Sequence, residues 1–158
     1  FIEGLPSLSV PYKTAYTLYY KYSQSPLENA FLALNSKRGG LINHIAVLTD
    51  VSSAYSYTSD ALISVSVVDS KGYDSDLLKR EVKKELKQWF GPDASYWELI
   101  NYYEIQTALP NQDSVCNELD LSLAKVEKGV YRVGDYMLNG SINGALRAGR
   151  QMAEALLA

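Results

Sequence analysis

"DSDLLKREVKKELKQWF", residues 74–90, decides the fold class. Leu78, Val82, Leu86 and either Trp89 or Phe90 recur at helical spacing and form one apolar stripe. Asp74 or Ser75 can cap its start, and Asp76 adds negative charge to the first turn, where the helix dipole favours it. Lysines gather toward the other end, and Gly91-Pro92 stops the helix. The opposite face carries mixed charge and reads as a solvated surface. One stripe of this kind needs an apolar sheet to cover.

The flanks supply that sheet. "YKTAYTLYYKYS" (12–23) is dense in Tyr and Thr, which suit a pleated surface. It divides into Ala15, Thr17, Tyr19 and Lys21 on one face and Thr14, Tyr16, Leu18, Tyr20 and Tyr22 on the other. Tyrosines on both sides leave the buried face open. "AFLALNS" (30–36), "LINHIAVLTDV" (41–51) and "ALISVSVVD" (61–69) read as further strands, with a turn over 37–40 and a polar loop over 52–60. In 61–69, Ile63, Val65 and Val67 form an apolar face against Leu62, Ser64, Ser66 and Val68. Beyond the helix, "SYWELINYYEIQTAL" (95–109) returns to strand and Pro110 ends it. Residues 110–122 read as a long loop, "GVYRVGD" (129–135) as a short strand, and 141–157 as a closing helix. Strands, helix, strand, loop, strand and helix in that order imply an α+β fold, an antiparallel or mixed sheet covered by a helix.

Composition narrows the function. The 158 residues are the size of one domain, 47% hydrophobic and 21% charged, with a formal net charge of −3. That charge gives no case for nucleic acid or an anionic membrane surface. No run reaches the ~18 apolar residues that suggest a membrane span. "FIEGLPSLSVP" (1–11) opens as an extended segment without a basic start or an apolar h-region, so it does not read as a signal peptide. The missing initiator Met suggests a processed protein or a cloned piece. Cys116 is the single cysteine, which excludes an intramolecular disulfide and suits a reducing, cytoplasmic setting. It reads as an inert thiol. His44, the single histidine, stands in an apolar strand and reads as a strand residue rather than a ligand or base, so no metal site is expected.

The remaining candidate is the last stretch, "YRVGDYMLNGSINGALRAGRQMAEALLA" (131–158). Asn139, Gly140 and Ser141 offer cap groups and a permissive backbone before the closing helix. Its first N–H groups and its dipole suit a phosphate or an electron-rich carbonyl. Gly140, Gly144 and Ala148 follow at i, i+4 and i+8, with Ala145, Gly149 and Ala153 beside them. Glycine inside a helix costs ~0.5–1 kcal/mol relative to alanine, so Gly144 and Gly149 require a reason. Close packing against a neighbouring element and a cofactor lying over the helix start are both open.

These residues resemble the C-terminal FAD-contacting segment of the flavin amine oxidase and phytoene desaturase superfamily. The resemblance rests on Gly134-Asp135, Gly140-Ser141, Gly144-Ala145, Ala148-Gly149-Arg150 and Ala153. A looser similarity to the substrate-domain half of such flavoproteins extends over "LINHIAVLTDVSSAY", "ALISVSVV", "LLKREVKKELKQWFG" and "YYEIQTALP". It implies that residues 1–125 are substrate-domain-like and that 126–158 are a strand, Gly-Asp and helix from the FAD domain. It implies FAD as cofactor, with Asp135 on the ribityl or pyrophosphate part and the backbone at Ser141, Ile142 and Asn143 toward the flavin. Gly134, Gly140, Gly144 and Ala145 complete that wall. Tyr102 and Tyr103 are candidates for a substrate pocket. The family's Gly-x-Gly-x-x-Gly, which holds the ADP pyrophosphate, is missing; Gly39-Gly40 lacks its spacing.

The resemblance therefore implies the C-terminal portion of a longer FAD-dependent oxidoreductase of small-molecule substrates, inactive without its dinucleotide-binding half. Its strand 129–134, freed from the absent sheet, is expected to repack onto the remaining sheet or to pair with a second copy as a homodimer. The other possibility is a non-catalytic α+β module binding a ligand or a protein surface, for which the 13 tyrosines would serve.

Overall fold

A computed structural model describes residues 10–157, so all of the opening segment except Val10 and Pro11 lies outside the described residues. The elements in chain order are β1 (Tyr12–Tyr22), β2 (Leu32–Leu34), β3 (Ile42–Val47), α1 (Leu48–Val51), β4 (Ala61–Val67), α2 (Ser75–Phe90), β5 (Glu98–Pro110), α3 (Leu121–Ala124), β6 (Lys125–Glu127), β7 (Val130–Tyr131) and α4 (Ile142–Leu157). The fold is α+β. The chain forms two compact units, one of residues Thr14–Gln106, the other of the stretch up to Lys13 together with Thr107 onward.

The larger unit is built on a five-stranded sheet of order β2-β3-β4-β1-β5. β4 pairs antiparallel with β1 and with β3, and the registers set Leu18 and Ile45 on either side of Val65, with Tyr20 and Val47 on either side of Ile63. All six side chains are buried, so the face carrying Leu18 and Tyr20 is the covered one. Leu78, Val82 and Leu86 of α2 are fully buried in the same core, which settles what the helical stripe covers. Each such side chain contributes ~1.5–3 kcal/mol by leaving water.

Local chemistry fixes the ends of α2. The Asp74 carboxylate accepts from the Asp76 and Leu77 amides at 3.0 and 2.8 Å, satisfying two donors that the helix leaves orphaned. Gly91 stops the helix at φ 75°, its amide donating to the Lys87 carbonyl at 2.9 Å. Midway along α2, Glu85 reaches back to the chain before β3. Its carboxylate accepts from the Leu41 amide at 2.8 Å and from the Asn35 side-chain amide at 2.9 Å. A Cβ on Gly40 would stand 2.6 Å from Glu85 Oε1 and 2.2 Å from Asn35 Nδ2, so this clamp requires glycine there.

Boundaries differ from the sequence expectation at several points. The strand expected over 41–51 ends at Val47, because Leu48–Val51 coil into one helical turn whose Thr49 hydroxyl accepts the Leu62 amide at 3.1 Å. The strand expected from Ser95 starts at Glu98, after Pro92–Tyr96 form a 3-10 turn begun by Gly91-Pro92. Pro110 is the last residue of β5 rather than its breaker; β5 lies at the sheet edge, where a missing N–H is tolerated.

In the smaller unit the expected strand 129–135 contracts to Val130–Tyr131. Gly129 turns at φ 79°, and β7 pairs antiparallel with β6, so its ladder partner is a local hairpin strand and not the larger sheet. The Arg132 amide continues the pairing by donating to the Ala124 carbonyl at 2.7 Å. No helix among the described residues is long and apolar enough to cross a membrane.

Candidate functional site

The start of α4 is assembled from a short turn and the long loop before it. Gly134 is extended, and Asp135–Met137 form a 3-10 turn closed by the Leu138 amide donating to the Asp135 carbonyl at 3.1 Å. Tyr136 folds its ring back over Gly134, where a Cβ would stand 2.6 Å from a ring carbon. Burial raises the Tyr136 phenol above its ordinary pKa, with Arg132 acting in the opposite sense and Tyr12 and Asp135 reinforcing the rise.

The loop 111–120 holds this turn by side-chain and backbone hydrogen bonds. Gln112 Nε2 donates to the Tyr136 carbonyl at 2.9 Å, the Cys116 amide to the Leu138 carbonyl at 2.9 Å, and the Cys116 thiol to the Met137 carbonyl at 3.2 Å. Gln151 of α4 accepts from the Leu119 amide at 2.8 Å and donates to the Asn117 carbonyl at 3.0 Å. These contacts have no period in sequence. Cys116 thus serves as a loop fastener, and its surface is exposed.

Ser141 caps α4. Its hydroxyl accepts from the Gly144 amide at 2.9 Å and its carbonyl from the Ala145 amide at 3.0 Å, while its own amide donates to the Asn139 carbonyl at 2.7 Å. The amides of Ile142 and Asn143 have no hydrogen-bond partner among the described residues. Of the three backbone groups expected to face a ligand, two are therefore open and Ser141 is engaged. The Asp135 carboxylate makes no hydrogen bond or ion pair among the described residues. An unpartnered carboxylate and two open N–H groups at the positive end of a 16-residue helix form a polar edge able to accept and donate hydrogen bonds.

The glycines acquire separate reasons. A Cβ on Gly144 would stand 2.0 Å from the Asn139 carbonyl oxygen, so the helix's own entering turn occupies that space. A Cβ on Gly140 would meet the Pro110 ring at 3.0 Å. Nothing lies within 4 Å of a Cβ on Gly149. The small residues divide accordingly: Gly144 and Ala148 face inward with Met152, whereas Ala145, Gly149 and Ala153 are exposed. On a helical projection that outward strip is continuous with Ile142, Leu146 and Leu157, which are 82%, 68% and 88% exposed.

The two tyrosines proposed for a pocket point to opposite sides of the sheet. Tyr102 packs against the core beside Tyr16, at 6.3 Å between ring centroids, with the Lys79 ammonium 4.9 Å above its ring. Burial first, then Glu104 and Tyr16, push its phenol up to about 12. Tyr102 is a packing residue. Tyr103 lies edge-on to Tyr19 at 5.9 Å, on the side away from α2, and its hydroxyl accepts from the Asn101 side-chain amide at 2.8 Å. His44 sits in β3 opposite Ser66, with Nδ1 2.9 Å from the Asn43 amide nitrogen.

Fold and helix start together describe an α+β protein with a polar edge at the start of α4. The sequence matches the model for flavin containing amine oxidoreductases over residues 5–157, and the chain belongs to that family. Among solved structures, an oxidoreductase from Methanosarcina mazei is similar in fold, with a TM-score of 0.55 and 10% identity over 95% of this chain. The chain spans 35% of the length of that protein. No curated protein matches it.

Proposed function

We propose that this chain is the C-terminal portion of a longer FAD-dependent oxidoreductase, of the amine oxidase and phytoene desaturase kind. In this proposal residues 1–125 belong to its substrate domain, and 126–158 supply one wall of its flavin site. The observation that carries it is the outward face of α4: an exposed apolar strip bearing Ile142, Leu146 and Leu157, beside a helix start whose Ile142 and Asn143 amides and Asp135 carboxylate have no hydrogen-bond partner among the described residues. A helix apolar over so wide an arc is one built to be covered on two sides. The dinucleotide-binding half would cover it.

The residues present fit one edge of the cofactor. Asp135 would accept hydrogen bonds from hydroxyls of the ribityl chain, and the Ile142 and Asn143 amides would donate to electron-rich atoms of the flavin. Gly134, Gly140, Ser141 and Gly144 would keep the turn close enough for those amides to reach, and Ala145 would leave room beside them. When bound, FAD accepts the hydride taken from the substrate. The chain's part is to orient the ring and to set a positive helix end where negative charge develops. Tyr103, with Tyr19 and the Asn101 amide, would line the substrate side. One edge cannot enclose a cofactor, since good sites bury ~70–90% of their ligand. Alone, the chain is therefore inactive.

Co-expression tests this. Paired with a Gly-x-Gly-x-x-Gly-bearing half from a member of the family, the chain is expected to co-purify with flavin at near-stoichiometric yield. Asp135→Asn in that pair should weaken retention roughly tenfold, as loss of a charge-assisted hydrogen bond would. A stable pair free of flavin, or one indifferent to Asp135, would overturn the proposal.

A further inference from the structure

A cavity of about 470 Å³ opens beside the last turns of α4. That helix contributes Met152, Ala155 and Leu156, α3 contributes Leu121 and Ser122, and the β6–β7 hairpin contributes Lys125 and Tyr131. Sites for small molecules run to ~300–1,000 Å³ and are mostly apolar with a few polar groups, and this cavity has both properties. Met152 is 6% exposed, and its unbranched side chain can adjust to an occupant. Leu121 and Leu156 are 44% and 55% exposed, so much of their apolar surface is not spent on the core.

The cavity has one free charge. Ser122 is engaged, its hydroxyl and its amide both donating to the Asp120 carboxylate, at 2.6 and 2.9 Å. The Lys125 side chain is exposed and makes no hydrogen bond or ion pair among the described residues. Its backbone is fixed opposite Tyr131 by the hairpin ladder, which keeps the ammonium at the rim. No carboxylate among the described residues lines the cavity.

An apolar cleft with a single unpaired ammonium at its rim complements a molecule with an apolar body and one anionic end. A neutral or cationic head would leave the ammonium unmatched, and a polyanion would bring more charge than one ammonium can meet. We infer that this cavity binds an aliphatic carboxylate, its chain against Leu121, Met152 and Leu156 and its head group on the Lys125 ammonium. Met152 stands ten residues past Ile142, about 15 Å along the helix. The site is therefore apart from the start of α4 and does not depend on the flavin proposal.

Octanoate and 1-octanol share a chain and differ in the charge of the head, so they separate anion recognition from simple apolar filling. Each is titrated, below its micellar concentration, into the full chain labelled at the methionine methyls. The chain has two methionines, so Met152 reports on the cavity while Met137, in the turn before α4, is the control; Met137→Leu assigns them. A saturable shift confined to Met152 is expected, with octanoate binding at least about fivefold more tightly than the more apolar alcohol. Lys125→Gln, folded by circular dichroism, should remove that preference, and Leu156→Ser should weaken both compounds by about threefold or more. No saturable shift, equal shifts at both methionines, 1-octanol binding as tightly as octanoate, or a preference unchanged in Lys125→Gln would overturn the assignment. So would a Met152 shift on dilution of the chain alone, which would give the cavity to a second copy. Should Lys125→Gln fail to fold, the comparison of the two compounds on the unaltered chain decides alone.

Discussion

Gly144→Ala and Gly149→Ala make the same chemical change in the same helix and should move stability in opposite directions. Replacing an interior helical glycine by alanine ordinarily stabilises by ~0.5–1 kcal/mol. At Gly149 nothing lies within 4 Å of the new methyl, so that gain should appear in full. At Gly144 the methyl would stand 2.0 Å from the Asn139 carbonyl oxygen and 2.9 Å from Asn139 Oδ1. Relief requires the backbone at Asn139 to move by more than about 1 Å, an overpacking that typically costs ~1–3 kcal/mol. That carbonyl accepts the Ser141 amide at 2.7 Å, and Ser141 in turn caps Gly144. Loss of the hydrogen bond and of the cap costs about 1 kcal/mol each. Against the propensity gain, Gly144→Ala should be destabilising by ~2–4.5 kcal/mol, and the two variants should differ by about 3–5 kcal/mol. Urea unfolding followed at 222 nm, with hydrogen exchange of the α4 amides, measures both. A Gly144→Ala variant as stable as the parent would refute the close approach of Asn139 and the account of the turn built on it.

Other consequences are as direct. Glu85→Ala leaves the Leu41 and Ile42 amides without their acceptor and the Asn35 side chain with only the Ile42 carbonyl, and should lower stability by ~1–3 kcal/mol in chemical denaturation. Leu78→Ala opens a cavity beneath a fully buried side chain and should cost ~2–5 kcal/mol in the same assay. Burial raises the Tyr20 phenol above its ordinary 10.0, and Tyr102 is pushed up to about 12. The folded state thus prefers the neutral phenols. Their contribution is complete below pH 10, the unfolded value, and is lost as pH climbs through the folded values. Stability should therefore decline from pH 10 upward, less steeply in Tyr20→Phe, as thermal midpoints across an alkaline series would show.

Much of this architecture is legible in the sequence because it is periodic. The α2 stripe repeats at helical spacing between a capping aspartate and a Gly-Pro stop, and Ile63, Val65 and Val67 alternate at the period of a strand. The face of β1 that turns inward is not legible from β1 alone, since tyrosines occupy both sides; the register with β4 decides it. Boundaries shift where a short turn competes with an apolar run, as at Leu48–Val51 and Pro92–Tyr96. Strand 129–135 contracts because its partner is a three-residue hairpin strand. At the candidate site, the helix start and its Ser141 cap are readable in sequence. The reason for Gly144 is not, because it depends on where Asn139 places a carbonyl. Nor are Gln112, Cys116 and Gln151, whose roles are side-chain contacts to a distant backbone.

The proposal is that the chain supplies one wall of a flavin site which a dinucleotide-binding half closes. Titration of FAD into the purified chain, followed by flavin fluorescence and visible absorption, tests it most directly. Cooperative folding without saturable binding is the predicted result. Tight one-to-one binding by the folded chain alone would contradict it, because the start of α4 would then belong to a self-contained cofactor site.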